Sequence, residues 1–274
     1  MKNGKLGYQV YSARDEAEKD LFGVLTQLKA MGYDGVEMAG LYGHSAKDVR
    51  KMLDDAGLRA ISAHIAMAGT EYGMLRDAAD AAELGCEYVA VPFLTPEMRP
   101  GVPGFAKTLK DIQAYSRILK QAGIQLLYHN HDFEFVEVCG MPGLDFMYAA
   151  MDEETLKTEL DVCWVKYAGY DPCEYIRKYA GRCPIVHLKD YVGEKGEDSP
   201  YALLSADGKD DKSNGKKVRF EFKPVGYGCQ DIPAIVRAGR ESGAKWFIVE
   251  QDLSVGRTPL EAARMSAEFV NGIE

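Results

Sequence analysis

One phrase recurs along this chain and limits what it can fold into: a residue followed by glycine, a short spacer, then an apolar run that ends in a polar side chain. It occurs as Met31-Gly32 before Val36-Glu37, Ala56-Gly57 before Ile61 to His64, and Leu84-Gly85 before Tyr88 to Pro92. It returns as Ala122-Gly123 before the run ending at His129, Ala180-Gly181 before Ile185-Val186-His187, and Ser242-Gly243 before Trp246 to Glu250. Glycine behind a periodic stretch reads as a helix stop, and a short apolar run behind that glycine reads as a buried strand. Lys5 to Gln9 and Thr158 to Asp161 add two runs that lack the glycine, for about eight strands in all.

Helical patterns lie between these runs. Leu21, Val24, Leu25 and Leu28 follow one helix face, as do Phe105, Leu109, Ile112 and Leu119 after Gly104. Thr258-Pro259-Leu260-Glu261 spells a capping box with proline in the first helical position. Nearly continuous apolar strands alternating with helices imply a parallel sheet covered on both faces. At 274 residues the chain matches the length of a closed barrel, about 250, so the expected fold is α/β, a single (β/α)8 TIM barrel over residues 1–274. From Gly193 to Arg219 the rhythm gives way to Gly, Asp, Lys and Ser. That stretch reads as a polar loop insertion at the face where barrel active sites lie, either a lid or subunit contact or an insertion without a role.

A formal charge of −9 disfavours a nucleic-acid surface, which needs clustered Lys and Arg. No run approaches the ~20 apolar residues of a membrane span. The segment Met1-Lys2-Asn3-Gly4-Lys5 lacks the apolar stretch of a signal peptide, so a cytoplasmic protein is expected. Cys86, Cys139, Cys163, Cys173, Cys183 and Cys229 form no C-x-x-C pair and read as reduced thiols.

In a parallel barrel the C-terminal ends of the strands open on one face and residues of different strands meet there. Here those ends carry Gln9, Glu37, His64, Pro92, His129 with His131, Asp161, His187 and Glu250, which includes four of the five histidines. Imidazole and carboxylate without thiolate suit one divalent ion, manganese first, with cobalt, zinc or magnesium as alternatives. Such an ion can hold a hydroxy-ketone by two oxygens and lower the cost of an enediolate while a neighbouring carboxylate takes the proton beside the carbonyl. Lys189 and Asp190 follow His187 and are candidate partners for the enolate or for substrate hydroxyls. Glu37, His64 and, more weakly, Gln9 would face the same mouth as substrate-binding groups. Trp164 and Tyr227 are candidates to cover an apolar sugar face or to pack internally, and Gly226 and Gly228 to shape their loop.

The run His129-Asn130-His131-Asp132-Phe133-Glu134-Phe135, Leu160-Asp161, His187-Leu188-Lys189-Asp190, Val225-Gly226-Tyr227-Gly228 and Val249-Glu250-Gln251-Asp252 together resemble the xylose isomerase-like TIM barrel family. The family is loosely called sugar phosphate isomerases/epimerases and includes inosose dehydratase, ketose 3-epimerases and enzymes of keto- and C-glycosides. The resemblance implies an isomerase or epimerase of a sugar, polyol or keto-sugar, with a lyase of the inosose dehydratase or C-glycoside-cleaving kind as the alternative. It implies a metal held by Glu, Asp, His and Glu from four strands, three of them matched by Asp161, His187 and Glu250. Where the ketose epimerases carry the first glutamate this chain has His129. Either Glu134 reaches back to the ion, leaving His129 or His131 as proton carrier, or His129 binds directly; the first arrangement is the expectation. This departure moves weight towards the inosose dehydratase and keto-glycoside branches. The catalytic set is then His129, His131, Glu134, Lys189 and Glu250. The resemblance also allows a homo-oligomer. Two further classes compete: an endonuclease IV-like phosphodiesterase, opposed by the negative charge and the small number of histidines, and a non-catalytic sugar-binding subunit.

Overall fold

The structure is a computed structural model, which describes residues 5–67, 69–193 and 220–273. Eight parallel strands close into a barrel in chain order: β1 (Lys5–Gln9), β2 (Gly35–Met38), β3 (Arg59–His64), β4 (Tyr88–Val91), β5 (Gln125–His129), β6 (Lys157–Asp161), β7 (Ile185–Leu188) and β8 (Trp246–Val249). The ring closes where Leu6 of β1 pairs with Phe247 of β8. The expected (β/α)8 barrel is thus present, and the polar stretch 194–219 lies outside the described residues. No helix among them is long and apolar enough to cross a membrane.

The recurring glycines act as read. The helices α2 (Ala46–Ala56) and α3 (Glu71–Leu84) end on Gly57 and Gly85 at φ 72° and 78°, the left-handed conformation that strains any residue with a side chain. A side-chain cap opens each helix: Ser45 accepts the Asp48 amide and Thr70 the Gly73 amide. The first helix, α1 (Arg14–Ala30), kinks at Asp20 (φ −155°, ψ 80°), whose carboxylate accepts the Gly23 amide and restarts the helix. Leu21, Val24, Leu25 and Leu28 nonetheless share one buried face. Helix α4 (Phe105–Gln121) buries Phe105, Ile112 and Leu119, and the last helix, Pro259–Asn271, begins with the expected capping box on Thr258.

Successive strand residues point to opposite faces of the sheet, so each strand serves two cores. Leu126, Tyr128, Val186, Leu188, Phe247 and Val249 join the helices in the outer core. The alternate positions Ile61, Tyr88, Ala90, Leu127, Ile185, Trp246 and Ile248 form a separate apolar cluster inside the barrel. Full burial of each large side chain is worth roughly 1.5–3 kcal/mol. Farther along the same inward rows the residues turn polar: Leu127 gives way to His129, Ile185 to His187 and Ile248 to Glu250. The apolar cluster floors a polar cup.

Two inward glycines make the floor possible. A Cβ on Gly7 would lie 2.5 Å from Ile61 Cδ1, and one on Gly35 would lie 2.7 Å from the Arg59 carbonyl oxygen. Gly7→Ala should lower stability by about 1–3 kcal/mol, the usual penalty of overpacking, and adding Ile61→Val, which removes that methyl, should recover part of the loss. Gly35→Ala should not be rescued, because its obstacle is backbone. Urea denaturation of the single and double variants checks both outcomes; an unaltered Gly7→Ala midpoint would contradict this account of the floor.

Candidate metal and proton-transfer site

Asp161 ends β6 and caps the helix that follows, Val162–Tyr167. Its Oδ1 accepts the amides of Cys163 (2.8 Å) and Trp164 (3.1 Å), which leaves Oδ2 aimed at Lys189 Nζ (3.3 Å) and His129 Nε2 (3.6 Å). Asn130 braces the corner. Its Oδ1 accepts the Asp161 amide at 2.9 Å and its Nδ2 donates to the Asp161 carbonyl at 3.3 Å, which ties β5 to β6 at their C-terminal ends. His187, on β7, places Nδ1 3.0 Å from Glu250 Oε2. The same Glu250 oxygen lies 2.9 Å from Lys189 Nζ and 3.9 Å from His129 Nε2. Lys189, 1 % exposed, is also bound to Asp252 at 2.9 Å.

A second layer lies against the other nitrogens of the same imidazoles. Glu159 Oε1 meets His129 Nδ1 at 3.2 Å, His64 Nε2 at 2.6 Å and His187 Nε2 at 3.1 Å. Glu37 Oε1 lies 2.9 Å from both His64 Nε2 and His187 Nε2 and accepts a hydrogen bond from Gln9 Nε2 at 2.7 Å, while Ser62 donates to its other oxygen.

Two sets of donors therefore converge: His129, Asp161, His187 and Glu250 above, and His64, His129, Glu159 and His187 below. Their spacing distinguishes them. Bonds of about 2.1 Å to a tetrahedral ion put neighbouring ligand atoms roughly 3.4 Å apart. The upper contacts of 3.0, 3.6 and 3.9 Å bracket that distance, the shortest of them being a hydrogen bond between His187 and Glu250, whereas the lower contacts of 2.6, 3.1 and 3.2 Å all fall short of it. Asp161 Oδ2, fully buried in the upper set, accepts no hydrogen bond, as expected of a ligand atom. The buried His/Asp/Glu cluster can hold a metal ion.

The electrostatics favour this at His129 and Glu250, whereas His187 would have to release a proton to become a ligand. Burial and the positive groups around it, His187 first, hold the His129 imidazole well below its ordinary value, so one of its ring nitrogens keeps a lone pair at neutral pH. Burial, with Lys189 adding to it, does the same to His131. Burial works against the charge of Glu250, but Lys189 and His187 overcome it and keep that carboxyl well below the usual range. Burial opposes a proton on His187, yet Glu159 and Glu37 outweigh it and raise the imidazole well above its ordinary value. Asp252 is pushed up to about 6 by burial despite Lys189.

Asp161, His187, Glu250, His129 and Lys189 thus come together as the sequence suggests, and other expected residues do not. Glu134 does not reach back to the cluster. It is buried beneath the β5 turn, where its oxygens accept the Tyr128 hydroxyl and the His131 amide (2.8 Å), so the corner of the donor set falls to His129. Asp190 faces away from the cup: its carboxylate accepts the amides of Tyr191, Gly226, Gly228 and Gln230 at 2.9–3.1 Å and shapes the Gly-x-Gly loop. Gln9 and Glu37 are wholly buried and bound to each other, with the Tyr11 amide on Gln9. His64, a candidate for substrate, is engaged by Glu37 and Glu159 in the lower layer. His131 lies beside the site, its ring 5.3 Å from those of His129, Phe133 and Trp164. Trp164 is fully buried near Lys189, and Tyr227 lies outside against Phe269.

Glu159 is absent from the sequence expectations, and Asp252 enters them within the Val249-Glu250-Gln251-Asp252 motif without a role of its own. Each stands two residues from a strand-end acid, Asp161 or Glu250, and the two-residue period of a strand, applied to those acids, points to both.

The model of the xylose isomerase-like TIM barrel matches residues 25–272, and the chain belongs to that family. It is 25% identical over 273 residues to a protein named inosose dehydratase from Geobacillus kaustophilus (strain HTA426), covering 90% of this chain and 85% of that one. A solved sugar phosphate isomerase/epimerase from Parabacteroides distasonis ATCC 8503 superposes with a TM-score of 0.76 at 25% identity, over 99% of this chain and 96% of the other. A D-allulose 3-epimerase from Methylomonas sp. shares the fold, with a TM-score of 0.69 at 13% identity over 99% and 98% of the two chains.

Two outcomes test the placement of Glu134. Burial pushes its carboxyl up to about 8, whereas an unfolded glutamate titrates near about 4.3. Its contribution to stability is therefore complete below about pH 4.3 and is lost as pH rises through about 8. The melting temperature of Glu134→Gln should gain on that of wild type steadily across this window; a constant difference would contradict the assignment. In equilibrium dialysis with Mn²⁺, Glu134→Gln should retain the ion while His129→Ala loses affinity by at least 100-fold; the reverse order would restore Glu134 as the ligand.

Proposed function

We propose that this chain is a divalent-metal-dependent enzyme that removes the proton beside the carbonyl of a keto-polyol or keto-sugar and then expels a β-hydroxyl as water. The observation that carries this reading is the convergence of His129, Asp161, His187 and Glu250 with Lys189 at the C-terminal mouth of the barrel. These four side chains would hold the ion. Two imidazoles and two carboxylates suit manganese first, with cobalt, zinc or magnesium as alternatives. When bound, such an ion supplies fixed positive charge that acidifies the carbon next to a carbonyl.

The chain's own residues would do the rest. His131, kept neutral by burial with its ring 5.3 Å from that of His129, would accept the carbon-bound proton. Burial disfavours the charge on Lys189, but Asp252 and Glu250 hold the ammonium well above its usual value, so it would stay charged and stabilise the enolate oxygen, while the proton taken up by His131 would pass to the departing hydroxyl and leave with it as water. Deep burial excludes bulk water, which strengthens each of these interactions. Elimination is favoured by the relative named inosose dehydratase, which matches along 90% of the chain, and by the imidazole at position 129 in place of an epimerase glutamate. Reprotonation without water loss, giving an isomerase or epimerase, is the second reading, supported by the isomerase/epimerase structural neighbour.

Incubation with Mn²⁺ and a panel of inososes, ketoses and 3-keto-glycosides in deuterium oxide should give deuterium beside the carbonyl, with dehydrated product from at least one substrate. Exchange without water loss would select the second reading. Asp161→Asn and Glu250→Gln should each lower exchange by at least 10³-fold; full exchange in either variant would remove that residue from the chemistry.

A further inference from the structure

We infer that Glu159 is the positioning residue of this centre: its Oε1 receives the Nδ1–H of His129 and so directs the Nε2 lone pair of that imidazole at the cation. The inference rests on the metal-site reading above and extends it to a side chain outside the donor set.

A neutral imidazole carries its proton on either nitrogen, and only the bare one can ligate. At His129 the choice is built into the barrel. Nδ1 lies 3.2 Å from Glu159 Oε1 in a hydrogen bond, whereas Nε2 faces Asp161 Oδ2 and Glu250 Oε2 at 3.6 and 3.9 Å. A carboxylate can only accept, so the proton belongs on Nδ1 and the lone pair on Nε2. Glu159 pairs with His129 in the sheet register between β5 and β6, and it is fully buried. It is also anchored. His64 Nε2 binds the same oxygen at 2.6 Å, and His187 Nε2 lies 3.1 Å from it. Glu159 Oε2 makes no hydrogen bond, which concentrates the polar role of the side chain on the oxygen that the imidazoles share. Carboxylate–histidine–metal chains of this kind orient the ring and increase its basicity, and loss of the outer carboxylate typically lowers metal affinity 10–100-fold.

Glu159→Gln keeps the shape but presents an amide that can donate to Nδ1 and stabilise the other tautomer. Three measurements, none of them activity, separate a positioning role from a structural one. With ¹⁵N-histidine labelling, His129 of the metal-free wild type should show the Nδ1–H tautomer, and Glu159→Gln should shift it towards Nε2–H. Competition against a chelator should give a 10–100-fold weaker Mn²⁺ affinity for Glu159→Gln, and the visible spectrum of the Co²⁺ form should change. Glu159→Asp, which retains a carboxylate, should recover part of the affinity, and its thermal midpoint reports whether any loss is merely unfolding. Unchanged affinity, spectrum and tautomer in Glu159→Gln would overturn the inference. So would loss of all binding in Glu159→Gln while Asp161→Asn still binds, because the ion would then sit in the lower donor set. Absence of any bound ion in wild type would instead sink the metal reading itself.

Discussion

Excess negative charge under the barrel mouth is the constraint that the upper half of this molecule is built to satisfy. Glu37, Glu159, Asp161, Glu250 and Asp252 are all buried there, and Lys189 is the cation they enclose along with the imidazoles of His64, His129 and His187. Removing an ion from water costs several kcal/mol even after relaxation, and an unpaired one is not tolerated. Protons on imidazoles can supply part of the compensation, as the raised values of His64 and His187 show. A divalent cation supplies it in one step and at one point.

The apolar floor and the charged cup are one design seen at two heights. Each inward row begins with Leu127, Ile185 or Ile248 and ends with His129, His187 or Glu250, so the strands that carry the chemistry are gripped from below by close packing. Glycines at positions 7 and 35 let Ile61 fill the centre. With water excluded beneath, the charged groups can exchange contacts only with one another and with whatever enters from above, and their mutual distances are correspondingly fixed.

Much of this is legible in the sequence because it depends on local rules. A glycine that must be left-handed stops a helix wherever it falls, and an apolar run behind it is a strand whose far end meets solvent; Gly57, Gly85 and the histidines at 129 and 187 follow from nothing more. What depends on side-chain direction is less visible. Glu134 follows His131 by three residues and looks near the donor cluster, yet the 3-10 turn Phe133–Phe135 carries it under Tyr128. Asp190 follows the strand of His187, but its carboxylate turns to three amides of a loop more than thirty residues on, a contact that no local pattern announces. Glu159 is hidden for another reason: its strand, Lys157-Thr158-Glu159-Leu160-Asp161, holds one apolar residue and so has little alternation to read, which leaves the two-residue distance from Asp161 as the signal.

The Asn130 brace has a consequence for how such a barrel can change over time. Because that carboxamide joins the two strand ends through the Asp161 backbone, the corner is held independently of the His129–Glu159 hydrogen bond beside it. Swapping a carboxylate for an imidazole at that corner alters the hardness of the cage, and with it the choice of ion and the acidity conferred on whatever is bound, without redrawing the scaffold. A single side chain can thus retune the chemistry of an inherited frame.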